Sequence, residues 1–368
     1  MANRFINHTA PGIANLKPYI PGKPISELER DLGISHSIKL ASNENPLGPS
    51  KKAKSVIHGN LEELALYPDG GGYLLRSALA ERHGVGLNQV TLGNGSNDVL
   101  DMIARVFLAP GREAVFSEYA FAVYPISTQA VGATARISTA RDYGHDLEDM
   151  QSLINDKTAV VFIANPNNPT GTWLKAKPLK AFIETVPEHV IVVVDEAYVE
   201  YVAEAEYPDA TQWLADHPNL IVTRTFSKAY GLAALRIGYS LSHPDITDLL
   251  NRVRQPFNVN TLAQAAALAS LDDEEHITLS VETNRKGMAQ YEQAFTSLGL
   301  NWIPSVGNFI TVDLGRDAAE IDKALLAEGV ITRPVANYGL PNHLRISIGL
   351  KEQNARCIAA LSKVLSSL

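Results

Sequence analysis

Residues Ser227-Lys228-Ala229-Tyr230-Gly231-Leu232-Ala233-Ala234-Leu235-Arg236 bring an amine, a hydroxyl and a guanidinium into one short segment, just after Thr223-Arg224-Thr225-Phe226. A lysine amine can add to an aldehyde, and a guanidinium beside hydroxyls can hold a phosphate. A lone Ser-Lys pair is as well explained by a solvated charge, but this combination suits a phosphate-bearing aldehyde. A second group comes after the apolar run Val192-Val193-Val194, where Asp195-Glu196-Ala197-Tyr198 sets a carboxylate at the end of a strand. By itself such an aspartate is usually a helix cap. The third is Gly93-Asn94-Gly95-Ser96-Asn97-Asp98, which opens like a dinucleotide fingerprint but has Asp98 where the last glycine belongs. A turn of this kind, leading from a strand into a helix N-terminus, still offers free amides to a phosphate. No HExxH pair, GxxxxGK[ST] loop or GxSxG elbow is present, which excludes those metalloprotease, nucleotide-hydrolase and serine-hydrolase chemistries. No metal site is expected.

The elements that must position these residues are legible as short apolar runs. Val90 to Leu92, Ala114 to Phe116, Ala159 to Ala164, Val190 to Val194 and Leu220 to Thr223 lack polar alternation, the pattern of strands buried on both faces. Between the first two, Val99, Leu100, Ile103, Phe107 and Leu108 form a helical stripe that Ser96 can cap. Repetition of such units predicts an α/β fold, a mostly parallel sheet flanked by helices, with the chemistry at loops beyond the strands' carboxyl ends. After about residue 255 a long helical stretch from Ala263 to Leu300, the segment Trp302 to Leu314, a helix near Ala318 to Glu328 and a closing helix from Glu352 predict a smaller α+β domain. The expected division is an N-terminal arm over residues 1–40, a large domain over 41–255 and a small domain over 256–368.

Length and composition agree with this. A chain of 368 residues, 45% hydrophobic and 20% charged, can bury a large core and is not disordered. The net charge of -8 disfavours nucleic acid and anionic membrane surfaces as partners. Cys357 is the single cysteine and cannot form an internal disulfide, and no apolar run reaches the 18 or so residues of a membrane span. A cytoplasmic location is expected, with Cys357 as a buried helix residue.

The lysine segment resembles the S-K-x-[YF]-G-L-x-x-x-R-x-G motif of fold-type I aminotransferases, whose aldehyde is pyridoxal 5′-phosphate. The whole chain resembles the histidinol-phosphate aminotransferases among them. The resemblance is also carried by Pro18-Tyr19-Ile20-Pro21-Gly22-Lys23-Pro24, Ala41-Ser42-Asn43-Glu44-Asn45-Pro46-Leu47-Gly48, Tyr67-Pro68-Asp69-Gly70, Asn165-Pro166-Asn167-Asn168-Pro169-Thr170-Gly171 and Leu344-Arg345-Ile346-Ser347-Ile348-Gly349. It implies a large domain with a seven-stranded, mostly parallel sheet.

It further implies that Lys228 binds the cofactor aldehyde and then moves the proton between substrate Cα and cofactor C4′, work that needs an amine less basic than free lysine. Asp195 would face the pyridine nitrogen, while Tyr198 and Asn168 would bond the ring's phenolic oxygen. Gly95, Ser96, Asn97, Thr225, Ser227 and Arg236 would receive the phosphate, with Tyr67 reaching in from a second subunit of a homodimer. For the aromatic that stacks on the ring the register is open: counting to Gly132 favours Phe121, with Tyr119 and Tyr124 as alternatives. Substrate would meet Arg345, Arg333, Tyr19, Asn43 and Asn308.

The function implied is transamination of L-histidinol phosphate with 2-oxoglutarate, yielding imidazole acetol phosphate and glutamate in histidine biosynthesis. An aromatic amino-acid aminotransferase is the alternative, because an imidazole and a phenyl ring are similar in size and pockets separate such shapes modestly. A threonine-phosphate decarboxylase and a non-catalytic binding protein on the same fold are further readings.

Overall fold

The structure is a computed structural model, and it describes residues 4–367. Met1 to Asn3 of the expected arm lie outside the described residues. At its centre is a seven-stranded sheet: β1 (Val90–Gly93), β2 (Glu113–Ser117), β3 (Thr134–Ser138), β4 (Thr158–Ala164), β5 (Ile191–Asp195), β6 (Leu220–Thr225) and β7 (Gly238–Ser242). Their spatial order is β1-β7-β6-β5-β4-β2-β3, and β7 alone runs antiparallel, to both of its neighbours. The sheet is thus mostly parallel, as expected.

Why the apolar runs become this sheet is visible in the two cores. Val161, Ile163, Val192 and Val194 point into one hydrophobic cluster, whereas Val160, Phe162, Ile191 and Val193 point into the other. Period-two alternation with both faces covered leaves no polar position, which is why the runs read as bare. Helix Ser96–Phe107 covers one face, with Val99, Leu100 and Ile103 fully buried. Each such side chain contributes roughly 1.5–3 kcal/mol relative to exposure. Strand β3 escaped the apolar pattern because it is the sheet's edge, and four of its five residues are exposed.

The smaller unit carries an antiparallel sheet of β8 (Asn301–Ile303), β9 (Phe309–Asp313), β10 (Arg333–Val335) and β11 (Leu340–Ser347). The side chains of Tyr291, Phe295, Ile310, Val312, Leu344, Ile346 and Leu361 form its core. Cys357 is buried there on the closing helix Lys351–Ser367, and burial pushes its thiol up to about 12.

The expected helical stretch is two helices, Thr261–Leu271 and Glu274–Leu298. Val259, Ala263, Ala266, Ala267 and Leu271 pack into the large-sheet core, not the small one. Small side chains hid this, since an alanine-rich helix buries closely without a strong apolar stripe. The arm also holds a helix, Ile25–Leu32, whose Leu28 is buried against Ala41 and Ile331. Among the described residues no helix is long and apolar enough to cross a membrane.

Candidate active site

The carboxyl ends of β4, β5 and β6, the N-terminus of helix Ser96–Phe107 and the small domain's β11 meet around an open cleft. Its lining includes Tyr19, Asn43, Ser96, Asn97, Phe121, Asn168, Asp195, Tyr198, Thr225, Ser227, Lys228, Arg236 and Arg345. All of these were expected from the sequence to share a site.

Asp195 ends β5 and is buried, its Oδ1 accepting from the Thr223 hydroxyl and its Oδ2 from the Tyr124 hydroxyl, each at 2.8 Å. Burial pushes its carboxyl above the usual range, and the two hydroxyl donors and the charge of Lys228 pull against that. A buried carboxylate on a cleft floor is costly unless a cation or donor meets it from the open side.

Lys228 lies just beyond β6 and donates to the Ser42 carbonyl at 3.2 Å. Burial first, then the charges of Arg345 and Arg236, lower its ammonium to about 7, with Glu44 opposing. The sequence pointed to Arg236 as the neighbouring cation, but Arg345 has the larger effect, brought in from the small domain. A lysine of this kind is substantially neutral near pH 7 and hence nucleophilic.

The Tyr198 hydroxyl accepts from Asn43 Nδ2 at 3.0 Å and from Asn168 Nδ2 at 3.1 Å. With both of those amides donating, its own hydrogen is left to donate into the cleft. Burial pushes this phenol up to about 12, so it stays protonated. Arg345 joins the same network: its guanidinium donates to Asn168 Oδ1 at 2.5 Å and to the Ala41 carbonyl at 2.7 Å. It is only 6% exposed, its Nε has no partner, and no carboxylate pairs with it among the described residues. Such a cation is built to meet an anion.

At the cleft's other end Arg236 donates to the Ser227 hydroxyl at 3.2 Å and the Thr225 hydroxyl accepts from the Ser227 amide at 3.1 Å. A Cβ added to Gly95, at φ +84, would lie 2.3 Å from the Arg236 guanidinium. Only glycine lets the guanidinium stand against the first turn of helix Ser96–Phe107, whose leading amides have no intrahelical acceptor. An arginine, hydroxyls and a helix terminus brought together in this way can receive a phosphate.

Four expected residues do not line the cleft. Asn308 is buried behind it and donates to the Asn43 carbonyl at 2.9 Å, acting as a prop for Asn43. Arg333 donates to the Ile20 carbonyl at 2.8 Å, and its guanidinium lies 5.5 Å from the Tyr19 ring, so it straps the arm to the small domain. Gly95 borders Arg236 through backbone alone. Tyr67 stands apart, 82% exposed and stacked on Phe257 at 4.7 Å. Of the three aromatic alternatives, Phe121 lines the cleft. Tyr119 faces Tyr143 at 5.9 Å, and Tyr124 lies fully buried beneath.

Tyr338, Ser42 and Ala197 line the cleft without having been singled out from the sequence. Tyr338 had no motif around it, and Ser42 contributes through its carbonyl. Glu196 and Arg224 were also missed: the Nε and Nη2 of Arg224 reach Glu196 Oε2 at 2.9 and 2.7 Å, and Nη2 also pairs with Asp209 at 2.7 Å. This buried ion pair ties the ends of β5 and β6 together. Adjacent charged residues on neighbouring strands were its signal.

The family model for aminotransferase class I and II matches residues 35–361. Histidinol-phosphate aminotransferase 2 of Pseudomonas fluorescens is 60% identical over 368 residues, covering 100% of both chains. The chain belongs to the histidinol-phosphate aminotransferases. The protein of that name from Pseudomonas aeruginosa is also 60% identical, over 98% of this chain and 99% of its own. Among solved structures, histidinol-phosphate aminotransferase from Sinorhizobium meliloti in complex with pyridoxal-5′-phosphate superposes with a TM-score of 0.90 at 30% identity, covering 97% of each chain. The aminotransferase fold of this family therefore carries the cleft, and its fold-type I architecture is the one expected.

Proposed function

We propose that this aminotransferase transfers the amino group of L-histidinol phosphate to 2-oxoglutarate, giving imidazole acetol phosphate and L-glutamate, as a step of histidine biosynthesis in the cytoplasm. Pyridoxal phosphate is its cofactor. The residues fit that group: the Arg236 cradle suits its phosphate, the buried Asp195 its ring nitrogen, and Lys228 its aldehyde. When bound, the cofactor supplies an electron sink for the pair left as the substrate's Cα–H bond breaks.

The chain's own residues do the rest. Gly95, Ser96, Asn97, Thr225, Ser227 and Arg236 anchor the phosphate, and Phe121 offers a stacking face. Tyr198, held in direction by Asn43 and Asn168, would offer its free hydrogen to the ring's phenolic oxygen. Asp195 keeps the ring nitrogen protonated. Lys228 Nζ would take the proton from the substrate's Cα, which its lowered basicity permits near neutral pH.

The observation that carries the substrate reading is Arg345, a buried guanidinium facing the cleft without a counter-ion. Both proposed substrates are anions, and one arginine can serve a phosphate or a carboxylate by the same fork. Arg345→Lys keeps the charge and loses the fork. We expect KM for 2-oxoglutarate and for histidinol phosphate each to rise roughly 30-fold, about 2 kcal/mol, with kcat less affected. Steady-state kinetics in both substrates check this, and unchanged KM values would remove Arg345 from the substrate site. The reaction assignment is tested by mixing the loaded enzyme with histidinol phosphate or phenylalanine, without oxo acid, and following the visible absorbance. Conversion at far lower histidinol phosphate supports it; preference for phenylalanine would replace it with the aromatic reading.

We further propose a homodimer with shared sites. Leu64, Leu66, Tyr67 and Leu74 are all more than half exposed in the single chain, an apolar surface of the kind that a partner covers. Tyr67 would then complete the partner's phosphate cradle. Mixed and refolded Lys228→Ala and Tyr67→Ala variants should regain about a quarter of wild-type activity, because half of the dimers are hybrids and each hybrid carries one intact site. No recovery would place Tyr67 in its own subunit's site, and a Tyr67→Ala variant already active by itself would place it outside the site.

A further inference from the structure

Tyr124 lies beneath the cleft, fully buried. Its ring stacks on Phe162, with centroids 4.8 Å apart and planes at 8°, and meets the Phe121 ring edge-on at 5.9 Å and 83°. A phenol hydroxyl at that depth must be bonded or it costs free energy. Its partner is Asp195 Oδ2, at 2.8 Å, while Thr223 occupies Oδ1 at the same distance. Tyr124 thus touches both the side chain proposed to cover the cofactor ring and the side chain proposed to meet its nitrogen.

The chemistry of the contact has one direction. Burial and the negative charge of Asp195 push the Tyr124 phenol well above its ordinary range, so it remains a donor. The carboxylate can only accept. Two hydroxyl donors, one on each oxygen, restrict rotation of the carboxylate about its Cβ–Cγ bond and stabilise its ionised form. The other titratable groups facing this pair are Lys228 and Tyr198. One lone pair on each oxygen stays available toward the cleft.

We propose that Tyr124 is a positioning residue of the transamination reaction, fixing the charge and orientation of Asp195 and tying it to Phe121 so that ring nitrogen and ring face are gripped by one buried unit. This rests on the reading of Asp195 as the partner of the ring nitrogen. Tyr124 itself touches neither substrate nor cofactor.

The test uses the loaded enzyme carrying Tyr124→Phe, Asp195→Asn or both. Loss of a hydrogen bond to a charged group is worth roughly a tenfold effect. In Tyr124→Phe, kcat should fall about that much while KM for histidinol phosphate changes by less than about twofold. The rate of cofactor loss on dilution should rise by a similar factor, and the visible circular dichroism of the bound cofactor, which reports its orientation, should weaken. In the Asp195→Asn background, adding Tyr124→Phe should change neither cofactor loss nor dichroism further. Wild-type kcat, cofactor retention and dichroism in Tyr124→Phe, with Asp195→Asn impaired, would overturn the proposal and leave the function standing. A full Tyr124→Phe defect in the Asp195→Asn background would also overturn it, because the hydroxyl would then act elsewhere. An Asp195→Asn enzyme with wild-type behaviour would remove both this proposal and the role of Asp195 beneath it.

Discussion

Lys228→Ala is expected to lower the single-turnover rate with histidinol phosphate by at least about 10⁴-fold, the upper end of what a positioned general base contributes. The fold should persist, because the side chain's one hydrogen bond is to the Ser42 carbonyl and its amine is held half-neutral against burial. Cofactor should still bind through Arg236, the hydroxyls and the helix terminus, with lower affinity. Stopped-flow absorbance measures the rate, and equilibrium dialysis the retained cofactor. Normal turnover in this variant would end the assignment of Lys228.

The same variant has a signature in the unloaded protein. Lys228 holds its proton to only about 7 in the folded chain against an ordinary 10.5. Between those values the unfolded chain binds the proton and the folded chain does not, so stability contributed by this group rises with pH across that window. Below about 7 both states are protonated and the burial cost is full. Lys228→Ala should therefore stabilise the unloaded protein most at pH 6 to 7, and the advantage should fade toward pH 10. Denaturant titrations over that range, without cofactor, check the sign.

Asp195→Asn is the second large effect. The amide retains the shape of the side chain. It carries no charge to keep the ring nitrogen protonated. We expect single-turnover rates to fall roughly 10³-fold, about 4 kcal/mol. Removing a buried carboxylate whose burial is only partly offset should leave the melting temperature of the unloaded protein unchanged or higher. A near-wild-type rate would deny Asp195 its role.

Much of this site was legible because its pieces lie next to strand ends. A strand buried on both faces betrays itself by lacking polar positions, and the residues just after it must emerge at the sheet's carboxyl edge. Asp195 at the end of β5, Lys228 just beyond β6 and the Gly95 turn after β1 were found in that way. The edge strand β3 and the alanine-rich helix Thr261–Leu271 were not, since one faces solvent and the other packs through small side chains.

Residue type and order along the chain determined which groups are available: one amine, one buried carboxylate, an arginine with hydroxyls near a helix terminus and a second guanidinium, on an α/β sheet. Only the tertiary structure decided how they meet. It set Arg345 beside Asn168 across 177 residues of chain and turned Tyr124 from a candidate stacking ring into the donor on Asp195. It withdrew Arg333 to the arm and Asn308 to a prop. Local sequence specifies strands and caps through backbone and periodicity, which act over a few residues. Contacts between distant segments depend on packing of the two domains against each other, and that has no short-range signal.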